Sequence, residues 1–164
     1  MIEKIVSGGQ TGADRAALDV ALERGLAIGG WVARGRLAED GAIPPRYTGL
    51  READSTDPAV RTRLNVRDSD ATLIVSHGPL SGGSLLTSQE ATRLGKPLLH
   101  LDLAALGHAH AVARLQEWLR SVEPATLNVA GPRASHDPAI AERVAALMRK
   151  ALPDPARHRR GRSG

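Results

Sequence analysis

Apolar residues gather in five short runs along the chain, at Ile2–Ser7, Gly29–Ala33, Ala71–Ser76, Pro97–Leu101 and Thr126–Ala130. Three of them, around Ile5-Val6, Leu73-Ile74-Val75 and Leu98-Leu99-His100-Leu101, are near-continuous rather than alternating, the pattern of strands buried on both faces of a parallel sheet. Helical periodicity fills the intervals. Ala13–Arg24 sets Ala17, Leu18, Ala21 and Leu22 on one face and reaches a stop at Gly25. Asp57–Val66 opens with Asp57-Pro58, and Asp137–Leu152 opens with Asp137-Pro138; each pairs a capping acid with a proline suited to the first helical position. Ser84–Leu94 ends at Gly95, and His108–Val122 ends before Pro124. Regular alternation of strand and helix predicts an α/β fold, a three-layer domain with a mainly parallel five-stranded sheet spanning residues 1–152. The longest irregular stretch, Arg34–Thr56, is long enough to read as a functional loop or lid.

Two glycine runs fall between a strand and a helix. Ser7-Gly8-Gly9-Gln10-Thr11-Gly12 follows the first strand, and Gly78-Pro79-Leu80-Ser81-Gly82-Gly83-Ser84 follows the third. Such a turn can present free N–H groups and the positive end of a helix dipole to an anion. In an open parallel sheet this edge is also where ligands bind. In the first run Gln10 and Thr11 can donate to an oxyanion, and Asp14 and Arg15 would face the same cleft; neither a Walker loop nor a G-x-G-x-x-G string is present. In the second, Ser81, Ser84 and Thr87 surround the turn with hydroxyls. Arg34, Arg36, Glu39 and Asp40 could serve phosphate, base or ribose, or form local ion pairs on a solvated loop. Arg61, Asn65 and Asp68 share one helical face, either a pocket wall or a polar surface. Gly131, Arg133 and Ser135 could close the site after the last strand.

Composition narrows the partners. The 164 residues include two Trp, one Tyr, no Phe and no Cys. The core must be aliphatic, and a base-stacking surface for single-stranded nucleic acid is not expected. Disulfides and thiolate metal sites are excluded, and the scattered His suggest no metal site. No apolar run approaches the roughly 18 residues of a membrane span, so no membrane partner is expected. The chain enters a strand at once, without a signal-peptide pattern, and a cytoplasmic address follows by default. The net charge of +4 is concentrated in the segment 153–164, which holds Arg157, Arg159, Arg160 and Arg162 against Asp154. That segment reads as a basic disordered tail, with weak nucleic-acid contact as its functional alternative.

Several strings occur together and in order: Ser7-Gly-Gly-Gln-Thr-Gly-Ala-Asp-Arg-Ala, Gly35-Arg-x-Ala-Glu-Asp-Gly-x-Ile-Pro, Asn65-Val-x-Asp-Ser-Asp, Ser81-Gly-Gly-Ser and Thr126-Leu-Asn-Val-Ala-Gly-Pro-Arg. On these the chain resembles the molybdenum cofactor carrier family. That family lies within a Rossmann-like group that also holds LOG-type phosphoribohydrolases and YpsA-like proteins. The resemblance implies a pocket for a phosphorylated nucleotide-like or pterin ligand, possible cargo rather than a required cofactor. It would be lined by Gly8, Gly9, Gln10, Thr11, Gly12, Arg34, Gly82, Gly83 and Ser84, and a homodimer or homotetramer is expected. LOG-type enzymes carry Gly-Gly-x-Gly-Thr-x-x-Glu; here the Gly and Thr positions are Leu85 and Leu86, and the Glu position is Gln89. Glu90 falls one residue late, rotated by about 100° on a helix. The departure favours holding a ligand over cleaving it. The alternative is an N-glycosidic hydrolase of nucleoside monophosphates, with Asp14, Glu39 or Glu90 as acid or base and Arg34 or Arg133 on the phosphate.

Overall fold

A computed structural model describes residues 1–154. In chain order the elements are β1 (Lys4–Val6), α1 (Ala13–Glu23), β2 (Ala27–Val32), β3 (Leu37–Ala38), β4 (Gly41–Ala42), β5 (Leu50–Glu52), α2 (Pro58–Arg67), β6 (Ala71–Ser76), α3 (Gly82–Arg93), β7 (Leu98–Asp102), α4 (His108–Val122), β8 (Thr126–Ala130) and α5 (Ile140–Ala151). The expected helices and strands all form. At α2 the Asp57 carboxylate accepts from Ala59 N at 2.9 Å, with Pro58 at the first helical position. At α5 the same Asp-Pro signal produces a turn first: Asp137 accepts from Ala139 N, and the helix begins at Ile140.

The main sheet has six strands, not five, in the order β5-β2-β1-β8-β6-β7, and every pairing is parallel. The additional strand is Leu50-Arg51-Glu52 on the edge beside Gly30–Val32. One apolar residue in three leaves no hydrophobic run to read, because an edge strand need bury little. It is joined to β2 by a segment that also contains the β3–β4 hairpin. Arg34–Thr56 thus holds the hairpin, the edge strand and, among its mostly exposed residues, buried Ile43, Tyr47 and Ala53. Ile43 and Tyr47 are buried with Leu18 and Val32 in a small second core. The Tyr47 hydroxyl donates to Asp19 at 2.7 Å, and burial pushes its pKa up to about 12.

α1, α4 and α5 cover one face of the sheet and α2 and α3 the other. Leu73 and Val75 of β6, Leu99 and Leu101 of β7 and Leu127 and Val129 of β8 join Val20, Leu115 and Leu147 in the main core. β6 is buried along its whole length, as its unbroken apolar run predicts. β7 alternates, because it forms the other edge. Connections moving toward β5 cross one face and those moving toward β7 cross the other, as right-handed crossovers require. Counting from β8 as first strand would turn the spatial order into 4-3-2-1-5-6, a doubly wound sheet with one reversal. The reversal lies between β8 and β6. Their following loops diverge to opposite faces there and leave a crevice.

Candidate functional site

A cleft of about 640 Å³ opens in that crevice. Its walls come from the loops after β1 (Gln10), β6 (His77, Pro79, Leu80, Ser81) and β8 (Gly131, Pro132, Arg133), from the starts of α1 (Asp14) and α3 (Gly82, Gly83, Ser84), and from Arg61 and Thr62 of α2. The volume lies within the range of small-ligand sites, roughly 300–1,000 Å³.

The first glycine turn is not an open anion cradle, because the protein fills it with its own groups. Gln10 N donates to Asp14 Oδ2 at 3.1 Å, Thr11 N donates to Gln10 Oε1 at 3.0 Å, and Ala13 N donates to Pro132 O at 3.2 Å. Gly12, at φ 82, lets this loop meet the one after β8; a Cβ there would lie 2.5 Å from Pro132 O. Gly8 serves differently. A Cβ on it would lie 1.5 Å from Arg61 Nη1, so its bare Cα makes the room the guanidinium occupies. Arg61 stands 3.7 Å from Asp14 Oδ2, with side chains 13% and 8% exposed respectively. Burial lifts the Asp14 carboxyl to about 6, against the pull of Arg61, of the Gln10 N–H and of Arg15 and Arg133.

The second turn is open. α3 starts two residues earlier than its periodicity predicts, at Gly82, so its first turn is the glycine pair itself. Ser81 precedes it without a side-chain cap hydrogen bond, and Ser81 to Ser84 all face the cleft. Gly83 lies outside the left-handed region, and a Cβ on it would meet nothing within 4 Å. No packing or backbone demand of the described residues explains a glycine there, whereas close approach of a ligand to the backbone would. The preceding loop is braced from β7. Gly78 N donates to Asp102 Oδ1 at 2.7 Å, Ser76 Oγ lies 2.7 Å from His100 Nε2, and backbone donors from Gly78 and Ala104 hold the Asp102 carboxyl low.

Several expected site residues lie elsewhere. The Thr11 hydroxyl donates to Glu39 and accepts from Ala134 N, and Glu39 accepts from Ser135 N and Oγ. Glu39 therefore ties the β3–β4 hairpin to the loops after β1 and β8, and the bonds from Ser135 and Thr11 hold its carboxyl low. Arg15 forks onto Asp40 instead of facing the cleft, at 2.6 and 2.7 Å. Arg34 is exposed beyond the cleft walls. Gly9 packs toward Ile43 and Val32. Glu90 is held by both hydrogen bonds of Arg93 and is absent from the cleft lining. Of the face Arg61, Asn65 and Asp68, only Arg61 reaches the cleft. Asn65 accepts from Trp31 N at 2.7 Å and donates to Trp31 O at 3.0 Å, and Asp68 accepts from Trp31 Nε1. Arg133 reaches the cleft as expected and makes no hydrogen bond through its side chain among the described residues.

The sequence reading missed His77, whose Nδ1 lies 2.5 Å from Asp137 Oδ2 across the cleft mouth. Its position directly after the central strand β6 was the available signal. Among the described residues no group of three or more His, Asp or Glu could hold a metal ion, and no helix is long and apolar enough to cross a membrane. The arginine-rich segment from residue 155 onward, including Arg157 to Arg162, lies outside the described residues.

The doubly wound parallel sheet, with its cleft at the strand reversal, defines a Rossmann-like α/β domain. The chain belongs to the circularly permuted YpsA family of the SLOG superfamily, whose family model matches residues 5–152. The strand order agrees with that description, since moving β8 to the front restores a single reversal. The crystal structure of a candidate molybdenum carrier protein from Syntrophus aciditrophicus is similar at 48% identity and a TM-score of 0.90, covering 93% of this chain and 96% of that one. No curated protein matches the chain at a significant level.

Proposed function

We propose that this protein binds a phosphorylated nucleotide-like or pterin ligand in the cleft and carries it without converting it. The ligand's phosphate would sit on the N–H groups of Gly82, Gly83 and Ser84 at the start of α3, with Arg133, which lines the same cleft, supplying positive charge. The open first turn of α3, with a glycine at 83 that no described neighbour demands, is the observation that carries this reading. The relation to a candidate molybdenum carrier supports molybdenum cofactor as the cargo. The residues suit a phosphorylated organic group better than a bare metal ion, because the open donors are backbone N–H and guanidinium, which bind anions.

A second reading, hydrolysis of a nucleoside monophosphate, draws on Asp14, whose carboxyl titrates at about 6 inside the cleft. One experiment separates the two. Full-length protein is challenged with molybdopterin and a panel of nucleoside monophosphates, following both the melting temperature and the release of free base. Carriage requires a rise in Tm without base release, and that rise should be lost in Gly83→Val and in Arg133→Ala. A flat response across the panel sinks the proposal, and free base from AMP replaces it with hydrolysis. Native mass spectrometry of the same sample checks the homodimer or homotetramer expected from the family.

A further inference from the structure

The cleft holds a charged pair that the phosphate end does not use. Arg61 has no hydrogen-bond acceptor among the described residues, and its 3.7 Å approach to Asp14 is too long for a hydrogen bond. Asp14 Oδ2 accepts one bond, from Gln10 N, while Oδ1 accepts none. Both side chains are largely buried and both line the cleft. The two groups form a long ion pair, and since no buried side-chain N or O atom of the described residues lacks a partner, their remaining donors and acceptor are open to the cleft, where a ligand can meet them. The Gly8 backbone is shaped to seat the guanidinium, so the arrangement is built into the fold.

A carboxylate only accepts and a guanidinium only donates. Side by side they match a planar edge carrying two adjacent N–H donors followed by a carbonyl. Guanine offers that edge, and so does a pterin, through the 2-amino-4-oxopyrimidine unit that both contain. Hypoxanthine lacks the amino donor. Adenine presents one donor beside a ring acceptor and leaves one carboxylate oxygen unused. We infer that Asp14 and Arg61 read the ring of the bound ligand, and that the cleft selects a 2-amino-4-oxopyrimidine ring over adenine or hypoxanthine. This inference rests on the carrier reading, since it assigns the end of the ligand opposite the phosphate. Asp14 would accept the ring N–H and the amino group, and Arg61 would donate to the carbonyl.

Calorimetric titration of the full chain at about pH 8, where Asp14 is ionised, with GMP, IMP, AMP, neopterin monophosphate and inorganic phosphate tests it. GMP, neopterin monophosphate or both should bind at least about tenfold tighter than IMP and AMP, the loss typical of one missing hydrogen bond to a charged group. GMP alone binding tightly identifies a guanine site, and neopterin monophosphate alone identifies a pterin site. In Asp14→Asn the gap between GMP and IMP should fall to within about twofold, because an amide can no longer accept through both atoms. Equal binding of GMP, IMP and AMP by the unaltered protein, with neopterin monophosphate no tighter, overturns the ring assignment and leaves the phosphate site standing. A preference for GMP that survives Asp14→Asn also overturns it. Failure of every phosphate compound, inorganic phosphate included, removes the carrier reading and this inference with it. The comparison within the unaltered protein does not depend on the variant's folding.

Discussion

At the scale of single residues, Gly8, Asp14 and Arg61 act as a unit. Gly8→Ala places a methyl group where Arg61 Nη1 now sits, and the long side chain can swing away. We expect a modest loss of stability, about 1–3 kcal/mol for an overfilled site, and a rise of the Asp14 pKa above its present value of about 6 as the nearest positive charge withdraws. A carbon-detected NMR titration of the carboxyl groups reads the shift. Asp14 also links stability to pH. Burial lifts its carboxyl to about 6 in the folded chain against the ordinary Asp value of 3.8, so the folded state binds this proton more tightly than the unfolded state. Its contribution is fully present below the lower value and is lost as pH rises through the upper one. Between about pH 4 and pH 7 the stability of Asp14→Asn relative to the unaltered protein should therefore improve by about 2–3 kcal/mol. Urea denaturation of both proteins at several pH values measures that slope. A difference that does not vary with pH would show that Asp14 keeps an ordinary carboxyl.

At the scale of elements, the cleft depends on braces between segments distant in sequence. Asn65 is buried on α2 and completes the backbone bonds of Trp31 in β2 through both ends of its amide. Asn65→Ala would leave a donor and an acceptor of β2 without that partner, and we expect a cost of about 2–3 kcal/mol in denaturant titration. Asn65→Asp should be nearly as harmful, because an ionised carboxylate cannot donate to Trp31 O. Glu39 braces the other side by joining the hairpin to Thr11 and Ser135. Hydrogen bonds depress its carboxyl, so this brace is present above the ordinary Glu range and weakens as pH falls through the lowered value. Glu39→Ala should loosen the loop that carries Arg133, seen as faster amide hydrogen exchange at Ala134 and Ser135 than in the core strands.

At the scale of the whole molecule, the strand order and the ends of the described residues, 1 and 154, point the same way. Met1 and Ile2 line one surface depression together with Leu152, Pro153 and Asp154. The chain from β8 onward can therefore be joined to the residues before β1 by a short linker. A permuted chain that starts at Pro124 and runs through such a linker into Met1, ending at Glu123, should fold to the same sheet. Its new ends fall in a turn where Glu123 takes a left-handed conformation, φ 49, outside α4 and β8. Far-UV circular dichroism and a single cooperative melt are the expected outcome. A chain that cannot fold would show that β8 must be inserted between β1 and β6 after both have formed.

Much was legible from the chain alone. The buried run Ala71–Ser76 and the capped starts at Asp57-Pro58 and Asp137-Pro138 marked strands and helices, because burial and capping leave their signature in neighbouring residues. The glycine turn at Gly82-Gly83 was visible as a glycine run between an apolar strand and a helical pattern. What the sequence could not express is which groups meet across the fold. It presented two equivalent anion turns, and tertiary structure made them unequal by folding Asp14 back onto the first and leaving the second open. It offered Arg34, Glu39 and Glu90 as site residues, and packing committed Glu39 to Ser135 and Glu90 to Arg93 while leaving Arg34 outside the cleft. It hid β5, whose charged edge needs only backbone pairing to form. Local chemistry is written in adjacent residues, whereas the partner of a long side chain is decided by the three-dimensional arrangement of strands far apart in sequence.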